Sequence, residues 1–271
     1  MHDSPTAALV IILGVLAGCS NLIGGALALA RPRLAQRYLI LGLAFSGGFL
    51  MTVAVVDILP EAMAVEPRAP LLVLGGYLAV YLAEHVFAGH AHAVPGTGRP
   101  EKEHGAHPLI GSPDCRDEHA TISPAAASAA ATGLTIHSFF DGAAIAAALA
   151  TSPPVGWLTF FAVLTHKLPE GFSLASIRLS SRGSRRSAFL MAAILGGASL
   201  AGTLTVVLLS RSFLNLEGPV LSVACGMFLH IAATDLLPTT GHVKGLRVMA
   251  ATAAGVLVAL AAANLLRLAL G

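Results

Sequence analysis

Two short stretches of the chain carry residues that could do chemistry. His137-Ser-Phe-Phe-Asp141-Gly142 and His166-Lys-Leu-Pro-Glu170-Gly171 share one pattern, a histidine, three intervening residues, a carboxylate and a glycine. In a helix, positions i and i+4 share a face, so each stretch stacks an imidazole on a carboxylate. Imidazole nitrogen and carboxylate oxygen together suit Zn²⁺, and such mixed sites also accept Fe²⁺, Mn²⁺ or Co²⁺. The pattern holds no thiolate, which argues against soft Cu⁺. Only a few residues around Ser152-Pro153-Pro154 separate the two segments, so they read as antiparallel neighbours. Turned toward each other, they bring His137, Asp141, His166 and Glu170 into one candidate metal site.

Both stretches lie about halfway along apolar segments, and the rest of the chain explains why. Of its 271 residues, 55% are hydrophobic and only 11% are charged. Soluble domains carry roughly 25% charged residues, and a chain this poor in charge cannot cover a surface facing water. A spanning helix takes about 20 mostly apolar residues. Eight candidates fit, at 6–30, 38–60, 70–89, 124–150, 154–178, 188–210, 218–238 and 247–270. The expected fold is therefore all-α and integral to the membrane, with eight transmembrane helices in one domain over 1–271. No basic stretch precedes the first apolar segment, which reads as a retained helix rather than a cleaved leader. The net charge of +2 gives no case for nucleic acid as a partner. Cys19, Cys115 and Cys225 are scattered and lack a C-x-x-C pair, so they define neither a disulfide framework nor a zinc finger.

The connections set the orientation. Those after helices 1, 3, 5 and 7 contain Arg31, Arg33, Arg37, Arg99, Lys102, Arg116, Arg178, Arg182, Arg185, Arg186, Lys244 and Arg247, against Arg68, Arg211 and Arg267 on the other side. This bias places the odd-numbered connections in the cytoplasm and both termini outside. The longest connection, 90–123, is polar, rich in Gly and Pro, and carries five histidines, His90, His92, His104, His107 and His119. It reads as a flexible cytoplasmic loop that either binds metal weakly or simply links two helices. The Ala- and Arg-rich composition points to a bacterial inner membrane.

Four ionisable residues within two membrane helices need compensation, because each costs on the order of 2.5–3.5 kcal/mol at the bilayer centre. A divalent cation would provide it. A lone membrane His or Asp reads as interhelical glue, but two copies of one pattern at matched depth read as a site. Pro169 adds to this. A proline inside a helix frees the carbonyl four residues earlier, here that of Thr165, and such carbonyls are tolerated at membrane depth where they line a cavity. A second repeat pairs helix 2 with helix 7. With Gly48 set on Gly226, Ala54 meets Ala232, Asp57 meets Asp235, Leu59 meets Leu237 and Pro60 meets Pro238. The two helices run in opposite directions, as in inverted-repeat transporters, whose site lies at the repeat interface. Asp57 and Glu61 at the outer end of helix 2, and His230 and Asp235 toward the inner end of helix 7, are candidate pathway residues, since rings of acidic charge attract cations. Glu84 and His85 sit where a wet interface explains them.

The two motifs, the eight helices and the His-rich loop together resemble the ZIP family of metal-ion transporters over essentially the whole chain. The His-Lys-x-Pro-Glu-Gly form is similar to its bacterial GufA-like branch. The resemblance implies uptake into the cytoplasm of Zn²⁺, with Fe²⁺, Mn²⁺, Cd²⁺ and Co²⁺ as further candidates, through His137, Asp141, His166 and Glu170. It also implies a homodimer, no cofactor and no enzymatic activity. Two positions depart from the family pattern, which often supports two adjacent metals. Ser138 stands where an Asn is common and Lys167 where a carboxylate is common. A protonated ammonium cannot ligate and repels a second cation, so one metal is expected, with Lys167 standing in for the other or else snorkelling away. Phe140 replaces a common proline, which predicts a straighter helix 4 than helix 5. Two rival functions were weighed against this. An intramembrane zinc hydrolase needs a general base beside an open metal position, and no H-E-x-x-H is present. A cation-diffusion-type exporter also uses H-x-x-x-D, but lacks the Pro-Glu-Gly break.

Overall fold

The computed structural model of the chain describes residues 7–30, 32–89, 124–210, 216–238 and 245–270. The expected His-rich loop at 90–123 lies outside the described residues. All regular structure among the described residues is helical. Its elements are α1 (Ala7–Ala30), α2 (Pro32–Val53), α3 (Leu59–Val65), α4 (Ala69–Gly89), α5 (Pro124–Thr151), α6 (Pro153–Ser180), α7 (Arg185–Ser210), α8 (Glu217–His230) and α9 (Leu246–Leu270). A π-helical turn over Ala54–Ile58 joins α2 to α3 as one continuous span, and another over Ile231–Leu236 extends α8. The eight spans fall on the eight apolar segments.

Six of these spans are long and apolar enough by themselves to cross a membrane. The α6 helix is not among them, because His166, Lys167 and Glu170 interrupt its apolar run. It lies in the centre and packs against α1, α2, α5, α7 and α9, with Phe161 and Leu168 its exposed large apolar side chains. The chain is a multi-pass all-α membrane protein.

The helices sort into two bundles. In the first, α6 packs on α1 and α5, and α7 closes against α1 and α5. In the second, α9 packs on α2, and α4 packs on α8. The bundles meet where α5 touches α8 and where α2 touches α6.

The second span runs past its expected end at 60, and Pro60 does not stop it. The proline follows directly on the π turn, so its missing N–H falls where the hydrogen-bond ladder is already irregular. The two π turns also bear on the repeat. Leu59 N–H donates to Ala54 O, and Leu237 N–H donates to Ala232 O. These are the residues that the Gly48–Gly226 alignment pairs, so the inverted repeat extends to a shared irregularity of the backbone.

Small residues set how closely the helices approach. A Cβ on Gly202 of α7 would run into the Phe139 carbonyl of α5, whereas one on Gly75 of α4 would meet nothing. Gly202→Val should therefore push α7 off α5 and lower the melting temperature in detergent, consistent with the ~1–3 kcal/mol of an overpacked core, while Gly75→Ala should melt like the parent. Equal melting temperatures for the two variants would refute this packing.

Candidate metal centre

The structure brings His137, Asp141, His166 and Glu170 together. One ligand atom from each lies within 4.8 Å of the other three. Metal–ligand bonds of about 2.0–2.2 Å would draw this ring tighter around an ion. His137 Nε2 is 3.1 Å from Asp141 Oδ2, and His166 Nε2 is 3.5 Å from the same oxygen. The two imidazole rings are 5.7 Å apart. The ring of Phe228, on α8, meets His166 edge-on from the second bundle.

The tautomer of His166 follows from its partner. Its Nδ1 lies 2.8 Å from the Ala162 carbonyl oxygen, which can only accept, so Nδ1 carries the hydrogen. In the neutral ring Nε2 then presents a lone pair. That nitrogen is buried without a hydrogen-bond partner among the described residues, as are His137 Nδ1 and Asp141 Oδ1. Buried polar atoms are nearly always paired. Three such atoms within one His/carboxylate cluster fit a metal site.

Lys167 does not snorkel. It is fully buried, with Nζ 2.5 Å from Asp141 Oδ2 and 2.7 Å from Glu170 Oε2. It also donates to Ser138 Oγ at 2.6 Å, and Ser138 Oγ in turn donates to Glu170 Oε1 at 3.1 Å. A tethered ammonium thus bridges the two carboxylates of the cluster. Ser138, noted in the sequence only as a departure, completes that bridge.

The glycines of the two motifs are explained by what lies behind them. Gly142 follows Asp141 and lets the backbone of α7 approach at Ser199. Gly171 follows Glu170 and does the same for α1 at Asn21. Each carboxylate therefore has a neighbouring helix pressed against the turn that carries it. The glycines of the two motifs thus have a packing role.

The remaining candidates are spread along the chain. Asp57 sits in the π turn after α2, buried, with Oδ1 2.5 Å from Arg267 Nη2 of α9. Glu61 is half-buried on α3. His230 is buried at the end of α8 against the edge of the Tyr77 ring, 4.8 Å between centroids, with Tyr81 further out. Asp235 is half-buried in the second π turn, and Thr234 Oγ1 donates to it at 3.4 Å. None of these four joins the central cluster. The side chains of Glu84 and His85 lie outside the described residues. Two partners went unread in the sequence. Arg267 was counted only for orientation. Ser46 of α2 was overlooked, yet its hydroxyl donates at 2.9 Å to Thr165 O, the carbonyl that Pro169 frees. That carbonyl had been expected to line a cavity. The signal for Ser46 was the freed carbonyl itself, which must find a donor at membrane depth.

A multi-pass helical protein with a buried His/carboxylate cluster at the heart of its bundle belongs to the class of membrane metal-ion transporters. Residues 99–263 match the ZIP zinc transporter family, and the chain is a member of that family, whose members are transporters and not enzymes. The relatives it resembles include the zinc transporter ZupT of Escherichia coli O7:K1 (strain IAI39 / ExPEC), 25% identical over 233 residues, covering 84% of this chain and 85% of the relative. Shorter matches reach zinc transporter ZIP9-B of Xenopus laevis, 32% identical over 45% of each chain, and zinc transporter zipt-7.1 of Caenorhabditis briggsae, 29% identical over 38% of this chain and 27% of the relative. Membership sets aside both the hydrolase and the cation-diffusion exporter.

Replacing Lys167 tests the bridge. Lys167→Met leaves Asp141 and Glu170 facing each other without their cation, and breaking a buried pair costs ~3–5 kcal/mol. The metal-free variant should melt well below the parent, and added Zn²⁺ should raise its melting temperature by more than it raises the parent's. A metal-free melting temperature equal to the parent's would contradict the bridging role.

Proposed function

We propose that this protein carries Zn²⁺ into the cytoplasm, and that His137, Asp141, His166 and Glu170 hold the ion at the middle of the membrane. The observation that carries this reading is the convergence of the four ligand atoms, with an orphaned imidazole lone pair, beside two carboxylates that a lysine already bridges. Fe²⁺, Mn²⁺, Co²⁺ and Cd²⁺ are the competing cargoes that an N/O donor set admits. One ion binds per chain, because the Lys167 ammonium occupies the space between the carboxylates and repels a second cation. The bias of Lys and Arg supports a cytoplasmic connection at 90–123 and both termini outside, and the Ala- and Arg-rich composition supports residence in a bacterial inner membrane.

The route begins at Asp57 on the outer side, where an arriving cation competes with the Arg267 guanidinium. It ends past His230 and Asp235 near the second π turn. Between them the cation sheds water and is held by two imidazoles and two carboxylates. All four ligands stand on α5 and α6, in the first bundle. Sliding or rocking of that bundle against the second transfers the occupied site from one side to the other without exchanging a ligand.

Uptake of ⁶⁵Zn²⁺ into proteoliposomes tests the reading. The parent should accumulate zinc, while His166→Ala and Glu170→Ala should lose uptake at least tenfold and bind the ion weakly. Zinc uptake by both variants at the parent's rate would remove the cluster from the pathway. Imidazole must be neutral to ligate, and metal affinity falls as ligands take up protons. Uptake should therefore decline as the pH falls from neutral to about 5. A flat profile over that range would contradict His137 and His166 as ligands.

A further inference from the structure

The proline break in α6 is matched by a feature of the other bundle. Pro169 leaves the Thr165 carbonyl without its helical donor, and Ser46 Oγ of α2 supplies one at 2.9 Å. Ser46 itself is only 1% exposed. One turn earlier on the same face of α2, Gly42 stands over the Pro169 ring, and a Cβ there would sit 4.0 Å from Cγ. The two helices run antiparallel, with 42 opposite 169 and 46 opposite 165. The face of α2 thus offers a hollow for the ring and a hydroxyl for the carbonyl that the ring frees. Both fall within a turn of His166 and Glu170.

This contact differs in kind from the apolar one beside it. The edge of Phe228 against His166 can shift by an ångström and lose little. A hydrogen bond to one carbonyl exists at one register only, and an unpaired carbonyl at membrane depth is costly. If α6 moves against α2, this bond must break.

We propose that Ser46 is a positioning residue of the transport cycle. Its bond to Thr165 O holds α6 and its ligands in the register seen here, and its release belongs to the step that opens the site to the opposite side. The proposal rests on the reading above, in which the two bundles move past each other. Loss of the hydroxyl leaves the carbonyl unpaired in this register alone, so the balance shifts toward the other.

The experiment is a pulsed electron–electron distance measurement in nanodiscs. Spin labels go on Arg186→Cys in α7 and Leu246→Cys in α9, both exposed, with Cys19, Cys115 and Cys225 replaced by serine. The parent should show two distances whose balance responds to Zn²⁺. Ser46→Ala should move that balance about fivefold or more toward the second distance, as expected for one lost buried hydrogen bond. Ser46→Thr, which keeps the hydroxyl, should restore it, and Ser46→Cys, a weaker donor, should fall between. In proteoliposomes Ser46→Ala should change the maximal uptake rate while zinc stoichiometry stays at the parent's value. A Ser46→Ala balance like the parent's, with only a lower melting temperature, overturns the positioning role and leaves the bundle motion standing. A single unchanging distance in the parent and every variant overturns both.

Discussion

The low dielectric at the centre of the bundle is the constraint from which the rest of this structure follows. Asp141, Lys167 and Glu170 are ionisable side chains with almost no access to water. Each alone would be expensive in a bilayer. Together they form a compact group in which one ammonium answers two carboxylates and Ser138 closes the remaining gap. Such a group has to be screened from lipid on every side. That requirement puts α6 in the centre, surrounds it with five other helices, and leaves it a small apolar exterior at Phe161 and Leu168. The close approach of α7 and α1 behind the two carboxylates serves the same end.

The division of labour between the bundles is just as consistent. The His/carboxylate cluster and its lysine all belong to α5 and α6. The second bundle contributes walls and a brace, the Phe228 ring and the Ser46 hydroxyl, and it carries the acidic residues at either end, Asp57 and Asp235. A binding site that stays whole on one body can face two solutions in turn without being dismantled. A site split between the bodies would lose half its donors at each passage.

Much of this was legible in the residues. The eight apolar segments fixed the spans, because lipid leaves the backbone few alternatives. The convergence of His137, Asp141, His166 and Glu170 could be read from spacing, since i,i+4 pairs on two adjacent helices can face each other. Lys167 could be placed by depth and charge, but its two partners could not be named, because that depends on rotamers and on how α5 leans toward α6. Ser46 and Arg267 stayed hidden for a related reason. Each answers a residue more than a hundred positions away, and no local pattern marks either one. The packing role of the motif glycines stayed hidden too, because what a glycine permits depends on the helix behind it, which the sequence does not show.

The paired π turns have a consequence beyond packing. A π turn is an α-helix that holds one residue more than its hydrogen bonds need, and such a residue usually enters by a single insertion. Here the surplus falls at matched positions of two helices that run in opposite directions through the membrane. The two helices are therefore alike in backbone as well as in side chains at these positions, although Asp57 meets an arginine of α9 and Asp235 rests beside a threonine.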